Sequence, residues 1–282
     1  LYDVRSPWIE VSIDRLALKR SRGIYRKAAY ASEALLGRAV DGFVFITPGL
    51  REFYSQSLGM DLEPSWLVPS GVDTRLFRPG DGGAARKRLG IPDNAKVLGY
   101  VGALSREREL DFAIRAVKSL REREEDCWLV FVGEGDDRPR LAGVAAESGL
   151  GDRVVFTGEV RHDTVPQFIS SFDYGLCHLP DTLFFRHSFP MKVLEYAACG
   201  IQVLASDIKA HVDIARDLPL RLYAHDDPGD LARLIMETGR RPAQVPDGLS
   251  RFSWERIAAD LAHCYEAVTE PDGRDREAPG TT

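Results

Sequence analysis

Val97-Leu98-Gly99-Tyr100-Val101-Gly102 is an apolar run closed by glycine, and Trp128-Leu129-Val130-Phe131-Val132-Gly133 repeats the pattern after an amphipathic stretch at 110–124. Short apolar runs separated by helical periodicity read as buried strands joined by crossover helices. The series continues with helical spacing at 138–148, 164–171 and 191–198, and with apolar runs at 154–156, 174–177 and 202–205. This alternation predicts an α/β fold built on a doubly wound parallel sheet. Two further helical periods follow, at 228–238 and 254–268.

Upstream, Ile13, Leu16, Ile24, Ala28, Ala31, Leu35 and Leu36 recur at roughly helical spacing and predict a helix over 11–42. Short strands are expected at 43–47 and 66–69, with a helix at 50–58 between them. Pro79-Gly80-Asp81-Gly82-Gly83 opposes regular structure and reads as a linker. The expected organisation is therefore a partial N-terminal domain at 1–79 and a C-terminal domain at 80–252. A helix at 253–269 packing back on the first domain and a disordered polar tail at 270–282 complete it.

The 282 residues are 44% hydrophobic and 28% charged, ordinary values for a folded globular chain, and the net charge of -6 provides no global basic field for nucleic acid. No nucleic-acid partner is expected. Cys127, Cys177, Cys199 and Cys264 form no C-x-x-C pair and no His/Cys cluster, so neither a zinc site nor a disulfide framework is suggested. A cytoplasmic location is expected, with the inner membrane face as its alternative. His162, His178, His211 and His225 lack metal spacing and read as packing or surface residues, and no metal ligand is assigned.

Ligands of doubly wound sheets bind beyond the carboxyl ends of the strands. Three loops fall there. Gly102-Ala103-Leu104-Ser105-Arg106-Glu107-Arg108 offers Arg106 and Arg108, whose forked donors suit a diphosphate, or it is a solvated helix start. Gly133-Glu134-Gly135-Asp136 is glycine-rich but lacks G-x-G-x-x-G spacing, and alone it reads as a tight turn. Ser188-Phe189-Pro190-Met191-Lys192-Val193-Leu194-Glu195-Tyr196 opens a helix with proline at its expected first position. Its free amides and Lys192 would attract phosphate, and Glu195, one turn on, would accept from a ribose diol. The other reading makes Lys192 and Glu195 an exposed i,i+3 ion pair.

Taken in order, Val68-Pro69-Ser70-Gly71-Val72-Asp73 with Phe77 and Pro79, Tyr100-Val101-Gly102, Val132-Gly133-Glu134-Gly135, Val155-Phe156-Thr157-Gly158, Pro190-Met191-Lys192-x-x-Glu195-Tyr196 and Gly200 resemble glycosyltransferase family 4. The resemblance implies the GT-B fold, two Rossmann-like domains with donor nucleotide mainly in the C-terminal one and acceptor mainly in the other. It implies a retaining, metal-independent hexosyltransferase without cofactor, whose donor is a UDP-, GDP- or ADP-sugar and whose acceptor is a saccharide, lipid-linked saccharide or small molecule. Glu195 then resembles the ribose-binding glutamate, and Arg108 and Lys192 the diphosphate ligands. Gly158, Glu159 and Val160 resemble the nucleobase loop. Gly102, Arg106, Gly133, His187, Ser188, Phe189, Pro190, Met191 and Val193 complete the expected donor site.

The sequence departs from that pattern in three places. His187 stands where the family's first glutamate is expected, Ala103 replaces a frequent arginine, and Arg108 a lysine. Asp3-Val4-Arg5-Ser6-Pro7-Trp8 resembles a segment halfway through the family's first domain, so the first part of that domain is expected to be missing or supplied by another chain. Asp3 and Arg5 would lie near the cleft or form a local ion pair. The alternatives are a noncatalytic or split subunit that binds nucleotide or a partner, and a sugar-nucleotide epimerase of the same architecture.

Overall fold

The computed structural model describes residues 1–15, 21–239 and 244–269. Contacts divide them into one unit from Leu1–Gly71, Thr182–Phe189 and Arg251–Thr282, and a second from Val72–Asp181 and Pro190–Ser250. The tail at 270–282 and Leu16 lie outside the described residues.

In the first unit, β1 (Tyr2–Val4), β2 (Phe43–Phe45) and β3 (Ser65–Leu67) form a parallel sheet in that order. The period of two along β2 sends Phe43 and Phe45 to one core with Val4, Leu50 and Tyr54, and Val44 to another with Val68, Ile257 and Cys264. The helix Trp254–Thr269 thus covers the second face. Between β1 and β2 the described residues are helical at Trp8–Arg15 and Arg22–Gly37, within the stretch where a helix over 11–42 is expected. The apolar spacing does not mark the buried side of the second: Ile24, Leu35 and Leu36 are exposed, whereas Glu33 is buried and accepts from the Tyr2 hydroxyl at 2.5 Å and the Trp8 indole at 3.2 Å. Asp3 and Arg5 form an ion pair at 2.7 Å that is open to solvent, a geometry worth at most about 1 kcal/mol.

The second unit holds β4 (Lys96–Val101), β5 (Cys127–Val132), β6 (Val154–Phe156), β7 (Tyr174–Cys177), β8 (Gln202–Ser206) and β9 (Leu220–Tyr223). Their order is β6-β5-β4-β7-β8-β9, and every pair is parallel. The chain therefore winds one way from β4 and the other way from β7. The helix Asp111–Arg121 buries Phe112, Ala113, Ile114, Ala116, Val117 and Leu120 against this sheet.

The expected linker is a packed helix entry. A Cβ on Gly82 would lie 2.1 Å from the Ser170 carbonyl oxygen, and Asp81 accepts from the Gly83 amide at 2.9 Å to start the helix Gly83–Leu89. That helix is tied to the sheet by Arg86, which is 8% exposed and donates to the carbonyls of Ser171, Asp93 and Ala95 and to the Asp173 carboxylate. Asp173 also accepts from the Val97 amide at 2.8 Å, so one buried pair joins the first helix of the unit to β4 and the start of β7. Removing one member of a buried pair leaves the other charge uncompensated. Arg86→Ala is expected to lower the unfolding free energy by about 3–5 kcal/mol, read as a fall in the urea midpoint; a midpoint within error of the parent would contradict this role.

Candidate functional site

Three loops leave the carboxyl ends of β4, β5 and β6 and are bonded side by side. The Gly102 amide donates to the Val132 carbonyl at 2.9 Å, the Leu104 amide to Glu134 at 2.9 Å, and the Gly133 amide to Gly158 at 3.1 Å. A Cβ on Gly133 would meet the Gly102 carbonyl oxygen at 2.1 Å, and one on Gly135 would meet that of Leu104 at 2.2 Å. Glycine is required at both places because backbone lies against backbone. The glycine-rich turn is therefore part of a continuous ledge at the strand ends.

The helix Met191–Ala198 faces that ledge across the switch between β4 and β7. Pro190 is its N-cap residue, one position before the expected place, and the Val193 amide donates to its carbonyl at 3.0 Å. The amides of Met191 and Lys192 donate to no backbone carbonyl among the described residues. The Lys192 amine lies 5.4 Å from the centre of the Tyr100 ring, and a Cβ on Gly102 would sit 2.9 Å from it. The absent side chain of Gly102 is the space that Lys192 enters.

The i,i+3 ion pair does not form: among the described residues Lys192 and Glu195 share no contact within ion-pair distance of 4.0 Å. Burial, and then the nearby Arg108 guanidinium, push the Lys192 amine below the usual lysine range, with Cys177 and Glu195 acting in the opposite sense. Burial raises the Glu195 carboxyl, while Lys192 and His162 oppose that shift. Arg108, half-buried in the turn Arg106–Arg108, hydrogen-bonds Tyr100, and burial carries the Tyr100 hydroxyl up to about 12 against the pull of that guanidinium. A desolvated ammonium beside a second cation is relieved by an anion, and two charges of one sign in a crevice attract it.

The structure brings together Gly102, Arg108, Lys192 and Glu195, with Gly133 and Gly158 in the adjoining ledge. Arg106 and Glu159 are exposed, and Met191 and Val160 half-buried. Val193 and Pro190 are buried, Val193 with its side chain in the core, so it offers a ligand no side-chain contact. His187, Ser188 and Phe189 belong to the first unit. The His187 ring lies against Phe53 at 4.9 Å, the Ser188 hydroxyl donates to the Phe185 carbonyl at 2.9 Å, and Phe189 packs toward Phe252 at 6.0 Å. Tyr100, Cys177 and Tyr196 were not foreseen here: each is an apolar-run or helix-face residue whose place at the switch depends on which strands are neighbours. Among the described residues no group of three or more His, Cys, Asp or Glu side chains converges as a metal site would.

A sheet of this order defines a domain of doubly wound α/β type, a fold in which ligands bind at the switch point. Solved structures share the architecture: HepE of Anabaena, crystallised with UDP and glucose, superposes with a TM-score of 0.74 at 19% identity over 94% of this chain and 70% of that one. Sucrose-phosphate synthase from Thermosynechococcus elongatus gives 0.70 at 22% identity over 94% of this chain and 66% of that one. These are glycosyltransferase folds of the GT-B type. The model of the glycosyl transferases group 1 family matches residues 83–239, more than half of the chain, and the chain belongs to that family. A D-inositol 3-phosphate glycosyltransferase of Stackebrandtia nassauensis is 32% identical over 76% of this chain and 52% of its own length. The chain spans about half the length of the curated relatives it matches.

His178 and His211 are buried in the second unit. His178 stacks on Phe112 at 4.1 Å and shares a hydrogen bond with the Tyr223 hydroxyl, and His211 lies between the Cys177 thiol at 3.2 Å and the Ser206 carbonyl at 2.8 Å. Burial lowers His178 to about 3 and His211 to about 4. Both values lie below that of an unfolded histidine, about 6.5, so the unfolded chain takes up the protons first. Their stabilisation is complete above pH 6.5 and is lost as pH falls toward 4. Urea midpoints between pH 7.5 and 5 should decline below pH 6.5, with each histidine contributing about 1.4 kcal/mol per pH unit, and His178→Asn should flatten the decline. Parallel profiles for the two proteins would contradict the assignment.

Proposed function

We propose that the second unit binds a nucleoside-diphosphate sugar and that the chain serves hexosyl transfer from it to an acceptor hydroxyl with retention at the anomeric carbon. The observation that carries this reading is Lys192: a desolvated amine, without an ion pair among the described residues, beside Arg108 and facing the Gly102 ledge. A diphosphate would give the Lys192 amine a counter-charge. Glu195, one helical turn along, accepts hydrogen bonds from the ribose hydroxyls, and the loop at Gly158, Glu159 and Val160 meets the base. Family membership and the neighbours crystallised with UDP and with UDP-glucose support the donor class.

In the proposed reaction the bond from the anomeric carbon to the diphosphate oxygen breaks as the acceptor oxygen bonds to the same face. The acceptor proton passes to the departing phosphate oxygen. Lys192, Arg108 and the free amides of Met191 and Lys192 stabilise the charge growing on the diphosphate, which is the largest contribution asked of the protein. No protein nucleophile and no divalent ion is required. No described helix is long and apolar enough to cross a membrane. The four cysteines are buried free thiols, which suits a reducing cytoplasm, and a location there or against the inner membrane face belongs to the same proposal.

Thermal unfolding with UDP, GDP and ADP tests the donor site. One of them, at about 100 times its dissociation constant, should stabilise the protein by about 2.7 kcal/mol, and Glu195→Gln should remove most of that gain while leaving the unliganded protein folded. No shift with any of the three from a folded sample would overturn the reading.

A further inference from the structure

Tyr196 is fully buried at the point where the two halves of the larger sheet separate. The β4–β7 ladder pairs Leu98 with Tyr174 and Gly99 with Gly175 and then stops, although both strands continue. Beyond that point the Val101 amide donates to the Tyr196 hydroxyl at 2.9 Å, and the same hydroxyl donates to the Leu176 carbonyl at 3.4 Å. The ring lies flat against Gly175, where a Cβ would come within 2.5 Å of it. A side chain from the helix thus takes the amide that another rung of backbone pairing would have used.

The residues on either side give this wedge its consequence. Val101 directly precedes Gly102, and Tyr196 directly follows Glu195 and lies one helical turn beyond Lys192. One hydroxyl therefore links the start of the Gly102 loop to the helix that presents both the amine and the carboxylate. We infer that Tyr196 is a positioning residue for nucleotide binding: its hydroxyl ends the pairing of β4 with β7, keeps the crevice at the switch open, and fixes Lys192 and Glu195 against the Gly102 ledge. The inference rests on the donor-site reading above and adds a residue that touches no ligand.

Tyr174 provides the control. It is also fully buried, it opens β7 at the opposite end from the crevice, and its hydroxyl donates to the Ile235 carbonyl at 3.4 Å. Tyr196→Phe and Tyr174→Phe each delete one buried hydroxyl, so a purely structural role predicts the same outcome for both. Calorimetric titration with UDP, GDP and ADP should find that the dissociation constant of the nucleotide that binds rises about tenfold or more in Tyr196→Phe and stays within about twofold in Tyr174→Phe. Equal constants in Tyr196→Phe and the parent, or equal weakening in both variants, would overturn the inference while leaving the donor site intact. Absence of binding by the parent would overturn the donor site itself, and the inference with it. If Tyr196→Phe does not fold, amide exchange in the parent decides: the Val101 amide should be as protected as that of Gly99, and exchange at the rate of an exposed loop would refute the bridge.

Discussion

β4 and β7 lie side by side, yet their connections leave in opposite directions, and this adjacency governs the rest of the second unit. With the right-handed crossovers that parallel strands adopt, the connection from β4 to β5 covers one face and that from β7 to β8 the other. Between the two departing loops no backbone can fill the gap at the carboxyl ends. The crevice is thus a product of topology, and the side chains decide what it holds.

Two requirements meet in that gap. Gly133 and Gly135 must approach the Gly102–Leu104 backbone, which only residues without a Cβ permit. Lys192 must give up much of its water to lie over Tyr100, and Arg108 raises the cost further. Neither Glu195 nor any other described carboxylate closes an ion pair with it, so in the proposed site an anion would relieve the Lys192 amine. Sites that are locally unfavourable in the empty state and favourable when occupied are common where ligands bind.

Much of this was legible from residue order. The helices Met191–Ala198 and Pro228–Thr238 and the strands Val154–Phe156 and Tyr174–Cys177 have the bounds that their periodicity predicts. The strands β1 and β9 were not seen: the first is three residues long, and the second places exposed Arg221 within a four-residue edge strand. The glycines of Pro79–Gly83 suggested freedom, whereas Gly82 is needed because Ser170 leaves it no space. Spacing on one helix left Lys192 and Glu195 open between a ligand pair and an exposed ion pair; that the ion pair does not form follows from packing beside residues far along the chain. His187, Ser188 and Phe189 entered the expected donor site through family resemblance, and the ring contacts of His187 with Phe53 and of Phe189 with Phe252 could not be read from residue order.

The most direct test is a crystal structure of the chain with a bound nucleoside diphosphate. The account predicts diphosphate oxygens within hydrogen-bond distance of the Lys192 amine and the Gly102 loop, with the ribose hydroxyls on the Glu195 carboxylate. A nucleotide seated away from the β4–β7 switch, or a Lys192 still lying over Tyr100 with no phosphate near it, would contradict the account.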